Sequence, residues 1–202
     1  KTRNAPVLYF SGEMLADDLW LRILCRRARC SLAEMRTGVT HDELQAMLQA
    51  AKAAMGSTLQ VADNGMSLPS IRAKIHRFAM EHPGGLVVID HLDHVECKAE
   101  SAVQSVATIM RRIKAAALAC KIPVLLVAQF NRGFDGDRKP TIFDLKGGSA
   151  IEQYADNIWL LHAPDKSLPR WVQLSIDKNR RGPHDQCNLE FERRYTDFKE
   201  RK

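Results

Sequence analysis

The sequence predicts an α/β domain with a mostly parallel central sheet that is flanked by helices. Residues 85–90 form a run of four aliphatic side chains that follows a glycine and ends in a carboxylate. A run that is this short and apolar is typical of a strand buried on both faces. Similar runs occur at residues 7–10 and 124–128, and segments with helical periodicity lie between the runs. Strands that alternate with helices favour a parallel sheet covered on its faces.

Length and composition are those of one globular domain. The chain has 202 residues, of which 45% are hydrophobic, and we expect residues 1–202 to form a single domain. No apolar run could cross a bilayer and no secretory signal pattern occurs, so we expect a cytoplasmic protein without a membrane partner. Irregular spacing of the five cysteines excludes a disulfide scaffold and a CxxC zinc site. The net charge of +6 is compatible with a polyanionic partner.

Apolar periodicity predicts the helices and the faces that they bury. Helices are expected at about residues 15–29, 31–36, 42–55, 67–82 and 101–121, with a short helix from Ser149. The expected inner face of the third helix consists of Leu44, Met47, Leu48, Ala51 and Met55. That of the longest helix consists of Val103, Val106, Met110, Ile113 and Ala117.

The last third of the chain has weaker patterns. Residues 133–148 have no periodicity and predict a long loop, which in a compact domain is often functional. A strand is expected at residues 157–161. Apolar residues then alternate with polar ones around Leu174 and around Leu189, which predicts a half-exposed β-hairpin at one end of the sheet.

Polar side chains follow three of the predicted core strands. Glu13, Asp90 and Gln129 lie at or just beyond the ends of these strands. Parallel strands place their carboxyl ends on one edge of a sheet, where open α/β folds bind ligands. A carboxylate that orients water, a carboxylate that holds Mg²⁺ and an amide that senses a phosphate suit hydrolysis of a nucleoside triphosphate. The alternative is three unrelated loop residues, with Asp90 only capping the loop after its strand.

Six segments resemble, in the same order, segments of the DnaB family of replicative helicases. They are FSGEM (residues 10–14), RTG (36–38), VIDHL (88–92), PVLLVAQFNR (123–132), DLKGGSAIEQYAD (144–156) and DKNRRGP (177–183). The resemblance covers nearly the whole chain. It implies a RecA-like P-loop NTPase fold, the cofactors ATP and Mg²⁺, and a homo-oligomeric, hexameric ring around single-stranded DNA. It also implies DNA unwinding during replication, a helicase loader and a primase as partners, and a phage or bacterial source.

The resemblance also implies roles for individual residues. Glu13 matches the glutamate that activates the attacking water, and Asp90 matches the carboxylate that coordinates Mg²⁺. Gln129 matches the glutamine that links the γ-phosphate to the DNA loop. Lys178 and Arg180 match a basic pair that a ring subunit inserts into its neighbour's ATP site, where an arginine finger stabilises the transferring phosphoryl group.

Three of the basic residues have a simpler alternative. Lys178 and Arg180 could be the solvated tip of the predicted hairpin. Arg22 matches an arginine that the family often places near the nucleotide base, but it could equally be a surface residue of its helix.

For contact with DNA, the resemblance points to Lys146, Gly147 and Ser149, just before and within the short helix. Backbone amides at a helix N-terminus beside a lysine form a phosphate site that reads no sequence. The same loop carries further positive charge at Arg132, Arg138 and Lys139. The family usually has an acidic residue in place of Gly147, and we expect the double glycine to make the loop more mobile.

The residues after the central strand also suggest a transition-metal site. Its candidates are Asp90, His91, Asp93 and His94. These four alternate too closely along the chain for all of them to face one ion, so we do not expect a metal site of this kind.

One departure from the family is large. A P-loop ATPase needs a GxxxxGK[ST] loop, and the family places it before the FSGEM strand. Only nine residues precede Phe10 here, and none is glycine. The chain could be a fragment of a larger helicase, could leave out its P-loop, or could be a degenerate ring subunit. We favour the first two, because the other site residues would otherwise have little reason to occur together.

The sequence therefore predicts the motor domain of an ATP-dependent DNA helicase, without the strand and P-loop that would precede residue 1 and hence inactive by itself. One alternative is a catalytically inactive DNA-binding or ring-assembly module of the same fold. Another is a RecA-like recombination or repair ATPase, which would act in strand exchange instead of unwinding.

Overall fold

The computed structural model of the protein describes residues 5–55, 58–98, 101–165 and 167–201. Its elements follow the order β1 (Val7–Ser11), α1 (Ala16–Ala28), α2 (Leu32–Thr37), α3 (His41–Met55), β2 (Leu59–Ala62), α4 (Leu68–Glu81), β3 (Leu86–Asp90), α5 (Ala102–Cys120), β4 (Val124–Leu126), α6 (Gly148–Tyr154), β5 (Asn157–His162), β6 (Trp171–Asn179), β7 (Gln186–Glu192) and β8 (Asp197–Glu200). Short 3-10 turns cover Leu92–His94 and Ile142–Asp144. Within these ranges, no helix is long and apolar enough to span a lipid bilayer.

Four parallel strands form the central sheet in the order β2-β1-β3-β4. β3 is an interior strand, because it pairs with β1 on one side and with β4 on the other. Its central residues Val87, Val88 and Ile89 are all buried. The buried strand at residues 86–90 and the parallel sheet confirm the fold class predicted from the sequence.

Helices α4 and α5 share one hydrophobic core with strands β1, β3 and β5. α4 begins with proline near its first position and buries Leu68, Ile71, Ile75 and Phe78, which recur at three- and four-residue spacing. α5 buries Val106, Ile109, Met110, Ile113 and Ala116. Val103 fits the same period but is 74% exposed, because periodicity marks a face of a helix and not how far along it the packing extends.

The C-terminal strands form a second, antiparallel sheet in the order β5-β6-β7-β8. β6 and β7 pair as the predicted hairpin, and β5 and β8 extend it on either side. Ile158 and Leu160 of β5 face the main core, whereas Trp159 between them is 55% exposed. This alternation is typical of an antiparallel sheet with one buried face.

Helices α1, α2 and α3 surround a smaller core. It consists of Cys25, Cys30 and Met47, with partly buried residues packed around them. α3 buries Met47, Ala50 and Ala54, whereas Leu44 and Leu48 are about half exposed and Met55 is 87% exposed. The inner face expected for this helix was therefore wrong for Leu44, Leu48 and Met55, whereas Met47 is buried and Ala51 is partly buried. Both residue sets fit a helical period, and the small alanines allow α1 and α3 to approach closely.

Ion pairs join this helical layer to the antiparallel sheet. Arg26 Nε lies 2.7 Å from an Asp197 carboxylate oxygen, and Arg29 lies 2.9 Å from Glu192. Arg194, between β7 and β8, lies 2.6 Å from Glu34 of α2. Ion pairs at the surface thus connect the helical layer to the antiparallel sheet.

Candidate functional site

The candidate site lies at the carboxyl edge of the central sheet. β1, β3 and β4 are neighbours and run parallel, so the residues that follow them emerge on the same side. Ser11 pairs with Asp90 at the ends of β1 and β3, and the Gly12 amide donates to the Asp90 carbonyl over 2.7 Å. Beyond β4, the Val127 carbonyl accepts the Leu92 amide over 2.9 Å. Glu13, Asp90 and Gln129 are therefore carried by three adjacent strand ends.

Asp90 has a partner that sequence reasoning missed. The hydroxyl of Tyr9 on β1 donates a hydrogen bond to Asp90 Oδ2. Burial raises the pKa of Tyr9 strongly, and the hydrogen bond and negative charge of Asp90 raise it further, so the phenol remains a proton donor. The parallel register of β1 and β3, which sequence alone does not give, brings these residues together.

Glu13 faces two histidines that follow β3. Its Oε1 lies 3.3 Å from His91 Nε2 and 3.5 Å from His94 Nε2. The two imidazoles stack with their centroids 4.6 Å apart. His91 and His94 are three residues apart across a 3-10 turn, where side chains at this spacing lie above one another. The side chains that converge are thus Glu13, His91 and His94, so His91 and His94 of the four candidates considered from the sequence belong to the group and Asp90 and Asp93 do not.

The expected loop after β4 is tied back onto the strand end that carries Gln129. The Lys146 amide donates to the Gln129 carbonyl over 3.1 Å, and the Asn131 amide donates to the Asp144 carbonyl over 2.7 Å. Phe130 and Leu145 form an antiparallel bridge between these bonds. Gln129 itself has an exposed side chain. The candidate phosphate-sensing residue and the candidate DNA loop are therefore bonded directly to each other.

Lys146 connects this loop to the edge that carries Asp90. Its Nζ lies 2.9 Å from a carboxylate oxygen of Asp93, in the 3-10 turn after β3, and its side chain is 54% exposed. The expected phosphate site of backbone amides is wrong in part, because the Lys146 and Gly148 amides donate to the carbonyls of Gln129 and Leu145. Ser149 is exposed on α6.

Gly147 has a packing role in addition to the mobility expected of the double glycine, which stays a prediction. It has φ of +78° and caps the N-terminus of α6. A Cβ atom on this residue would lie 2.6 Å from Val106 Cγ1 of α5. Gly148 is buried. The two glycines therefore allow the loop to pack closely against α5.

The other basic residues of the loop differ in their surroundings. Arg138 makes two hydrogen bonds to Asp144, of 2.6 and 2.7 Å. With bonds from Thr141, this guanidinium holds the pKa of the Asp144 carboxyl well below its usual range. Arg132 and Lys139 are exposed, and Lys139 lines a cavity beside Asp177 and His184 of the antiparallel sheet.

Lys178 and Arg180 are both anchored within the chain. Lys178 Nζ donates to the Glu152 carbonyl of α6, and Arg180 lies 3.2 Å from Asp156, which follows that helix. Lys114 also pairs with Asp156 and, as the larger effect, lowers its pKa. The tip of the β6–β7 hairpin is thus attached to α6 and the segment after it.

Arg22 lies apart from these anchored residues. It is exposed on α1.

Comparison with models of protein families identifies the family of this chain. The model of the DnaB-like helicase C-terminal domain matches residues 1–200. This chain belongs to the DnaB-like helicase family. It is 29% identical over 207 residues to the replicative DNA helicase DnaC of Bacillus subtilis (strain 168), covering 96% of this chain and 46% of that protein. It is 30% identical to the replicative DNA helicase DnaB of Leifsonia xyli subsp. xyli (strain CTCB07), covering 96% of this chain and 45% of that one. The chain thus spans less than half of either relative.

Solved structures support the RecA-like fold of this DnaB-like domain. One solved ATPase domain superposes with a TM-score of 0.87 at 23% identity, covering 96% of this chain and 74% of that one. A DnaB-like replicative helicase, solved in a study of its interactions with primase, also gives 0.87 at 23% identity, covering 96% of this chain and 50% of that one.

The side chains at the carboxyl edge of the sheet suit Mg²⁺. They provide only part of what a nucleotide site needs. Mg²⁺ prefers oxygen ligands and is commonly held by one or two carboxylates together with substrate phosphates. Asp90 supplies such a carboxylate at the end of a buried strand, and its Tyr9 bond orients it. The amides and lysine that cradle phosphates in P-loop proteins are not among the described residues of this edge.

We predict that Gly147→Ala lowers the free energy of unfolding by at least about 1–2 kcal/mol, because an L-residue is strained in the left-handed region. Its contact with Val106 should add to this cost. Urea denaturation measures the effect, with Gly133→Ala as the matched control, since a Cβ there would contact nothing within 4 Å. Val106→Ala should cost less in the Gly147→Ala background than alone. Equal effects at both glycines would contradict the packing role.

Proposed function

We propose that this chain is the motor domain of a replicative helicase that uses ATP hydrolysis to translocate on single-stranded DNA and unwind duplex DNA. The observation that carries the proposal is the bond between the Gln129 carbonyl and the Lys146 amide. It joins a strand end at the candidate nucleotide edge to the candidate DNA loop without an intervening flexible segment. The Asp93–Lys146 ion pair is a second connection between the same two regions.

In this proposal, Asp90 holds Mg²⁺ and Glu13 orients the attacking water. Mg²⁺ bridges phosphate oxygens and neutralises charge that develops during phosphoryl transfer. The Tyr9 hydroxyl keeps one Asp90 oxygen in place. Glu13 is 57% exposed at the rim of the edge, where its carboxylate can accept a proton from water. The phosphate cradle is assigned to a part of the protein other than these 202 residues, in which no GxxxxGK[ST] motif occurs.

DNA contact is assigned mainly to the Lys146 side chain, with Arg132 and Lys139 adding positive charge. Lys146 is held by one exposed ion pair, which contributes little to stability and can exchange for a phosphate. Phosphate contacts of this kind fix position and read no sequence. That suits a motor that must move along any strand.

The ring is the third part of the proposal. Lys178 and Arg180 would act on a neighbouring subunit's nucleotide, and Arg180 would have to leave Asp156 to do so. A hexameric homo-oligomer, a primase and a loader are the partners that the proposal includes. A relative of the same fold was solved in a study of its interactions with primase, which supports that choice of partner.

We expect Glu13→Gln in the full-length protein to lower ATP turnover about 10²- to 10⁴-fold, because loss of one acid–base group typically has this effect. Nucleotide binding should remain, since the substitution keeps shape and hydrogen-bonding capacity. Steady-state turnover and nucleotide titration measure both. Glu81→Gln, an exposed glutamate of α4, is the matched control. Turnover within tenfold of the parent would exclude the role of Glu13.

Lys146→Ala should weaken binding to single-stranded DNA about equally for all sequences. Loss of one phosphate contact lowers the slope of log K against log salt by about 0.7 on a single strand. A salt titration by fluorescence anisotropy measures the slope. Lys52→Ala carries the same charge change on an exposed part of α3 and should leave the slope unchanged. If the two variants behave alike, DNA binds elsewhere.

Arg180→Ala in the full-length protein should bind ATP and assemble but hydrolyse about 10³- to 10⁵-fold more slowly, as expected for a finger arginine. Arg181→Ala is the control, because it removes the adjacent exposed arginine. Mixing Arg180→Ala with Glu13→Gln subunits should restore some turnover, since some interfaces then pair an intact Glu13 with an intact Arg180. Parental turnover by Arg180→Ala would leave this segment as a hairpin tip only.

A further inference from the structure

We propose that Glu13, His91 and His94 form a binding site for a divalent transition metal ion, with Zn²⁺ as the best-fitting ion. The three residues each offer a ligand atom, and these atoms all lie within 4.8 Å of one another. Asp90, the carboxylate assigned to Mg²⁺, does not belong to this group of ligand atoms.

The two separations between Glu13 and the histidines match those around a tetrahedral ion. Ligand atoms at about 2.0–2.1 Å from a tetrahedral Zn²⁺ lie about 3.3 Å from each other. Glu13 Oε1 lies 3.3 Å from His91 Nε2 and 3.5 Å from His94 Nε2. Two of the three separations therefore match the tetrahedral value, and the ligand atoms of the two histidines lie within 4.8 Å of each other.

His91 provides further support, because it is a buried polar group whose ring nitrogens form no hydrogen bond among the described residues, although Glu13 Oε1 lies 3.3 Å from Nε2. Its side chain is only 6% exposed. Neither of its ring nitrogens has a hydrogen-bond partner among the described residues. Buried polar atoms are nearly always paired, and an unpaired one calls for an explanation such as an ion. A metal ion at Nε2 would satisfy one of the two nitrogens and leave the proton on Nδ1.

The backbone around the site is shaped to keep His94 in place. The 3-10 turn sets the two imidazoles one above the other. A Cβ on Gly12 would lie 2.5 Å from His94 Cβ, so glycine here allows the loop that carries Glu13 to approach the turn. His94 and Glu13 are 39% and 57% exposed, which gives an ion access from solvent.

The ligand types select the ion. Two imidazoles and one carboxylate form a known zinc set that leaves a fourth position open for water or substrate. Mg²⁺ and Ca²⁺ prefer oxygen ligands and would be bound poorly by two imidazoles. Asp93, the nearest further carboxylate in the turn, pairs with Lys146. The site should therefore discriminate against the magnesium ion that accompanies a nucleotide.

Metal binding has a consequence for hydrolysis, and only this consequence rests on the proposed function of Glu13. A carboxylate that coordinates an ion is no longer free to orient the attacking water. Zn²⁺ should then inhibit ATP turnover over the concentration range in which it binds. Binding itself does not depend on the role of Glu13.

The test is a Co²⁺ titration of the untagged protein, followed by displacement with Zn²⁺. Tetrahedral Co²⁺ absorbs strongly in the visible range, and a thiolate ligand would add a separate near-ultraviolet band. We expect visible absorption that saturates at one Co²⁺ per chain, lacks the thiolate band and is lost on addition of Zn²⁺. Excess Mg²⁺ should not displace Co²⁺.

Substitution of the proposed ligands tests where the ion binds. His94→Ala and Glu13→Ala should each weaken Co²⁺ binding by more than about 100-fold, because loss of even an outer-sphere partner costs about 10- to 100-fold. Both residues are partly exposed, so these variants should fold, and circular dichroism checks this. His41→Ala, an exposed histidine at the start of α3, is the matched control and should bind as the parent does.

The possible outcomes distinguish the metal site from the proposed role of Glu13 in hydrolysis. Absence of tetrahedral absorption, or binding that survives His94→Ala, would overturn the metal site. Binding at this site without inhibition of ATP turnover in the full-length protein would retain the metal site and overturn the proposed role of Glu13. Inhibition that disappears in His94→Ala would support both.

Discussion

The candidate site at the carboxyl edge of the central sheet depends on the burial of β3 between its two parallel neighbours, β1 and β4. Its central residues are buried, and its hydrogen bonds are shared with β1 and β4. Because Val87, Val88 and Ile89 are all buried, the strand becomes accessible only at its end, where Asp90 emerges. The Gly12 amide bonds to the Asp90 carbonyl, so the loop that carries Glu13 is fixed relative to Asp90 by the same ladder that builds the core. A shift of β3 would displace every candidate group at once.

Backbone hydrogen bonds and side-chain ion pairs both connect residues around this edge, and the two kinds of contact differ in strength. Backbone bonds hold Lys146 to Gln129, whereas single ion pairs hold the Lys146 side chain to Asp93 and Arg180 to Asp156. Exposed ion pairs typically contribute about 0–1 kcal/mol, so a phosphate can displace them at little cost. The backbone ladder would keep its geometry during such an exchange. Energetic coupling between sites requires elements with two discrete arrangements, and these ion pairs are the contacts best suited to switch.

The sequence predicted the fold better than it predicted the site. Strands such as β3 were correctly located, because a short aliphatic run bounded by glycine has few other uses. The inner face of α3 was not, because two residue sets fit one helical period and only packing against α1 selects between them. Tyr9 and the convergence of His91 with Glu13 depend on register between strands distant in sequence. The sequence pattern of Gly147 predicts mobility, and its packing role follows only from its positive φ and from Val106, which a Cβ at this position would meet at 2.6 Å.

The loop after β4 should contribute less to DNA binding than the number of its basic residues suggests. Arg138 makes a two-pronged pair with Asp144, which also accepts bonds from Thr141, so moving Arg138 to a phosphate would break a local network. Lys146 has a single exposed carboxylate partner and can change partners more easily. Only cations that reach phosphates release counterions. The salt dependence of DNA binding should therefore be set by Lys146 and the exposed Arg132 and Lys139. Arg138 should instead stabilise the loop through its pair with Asp144.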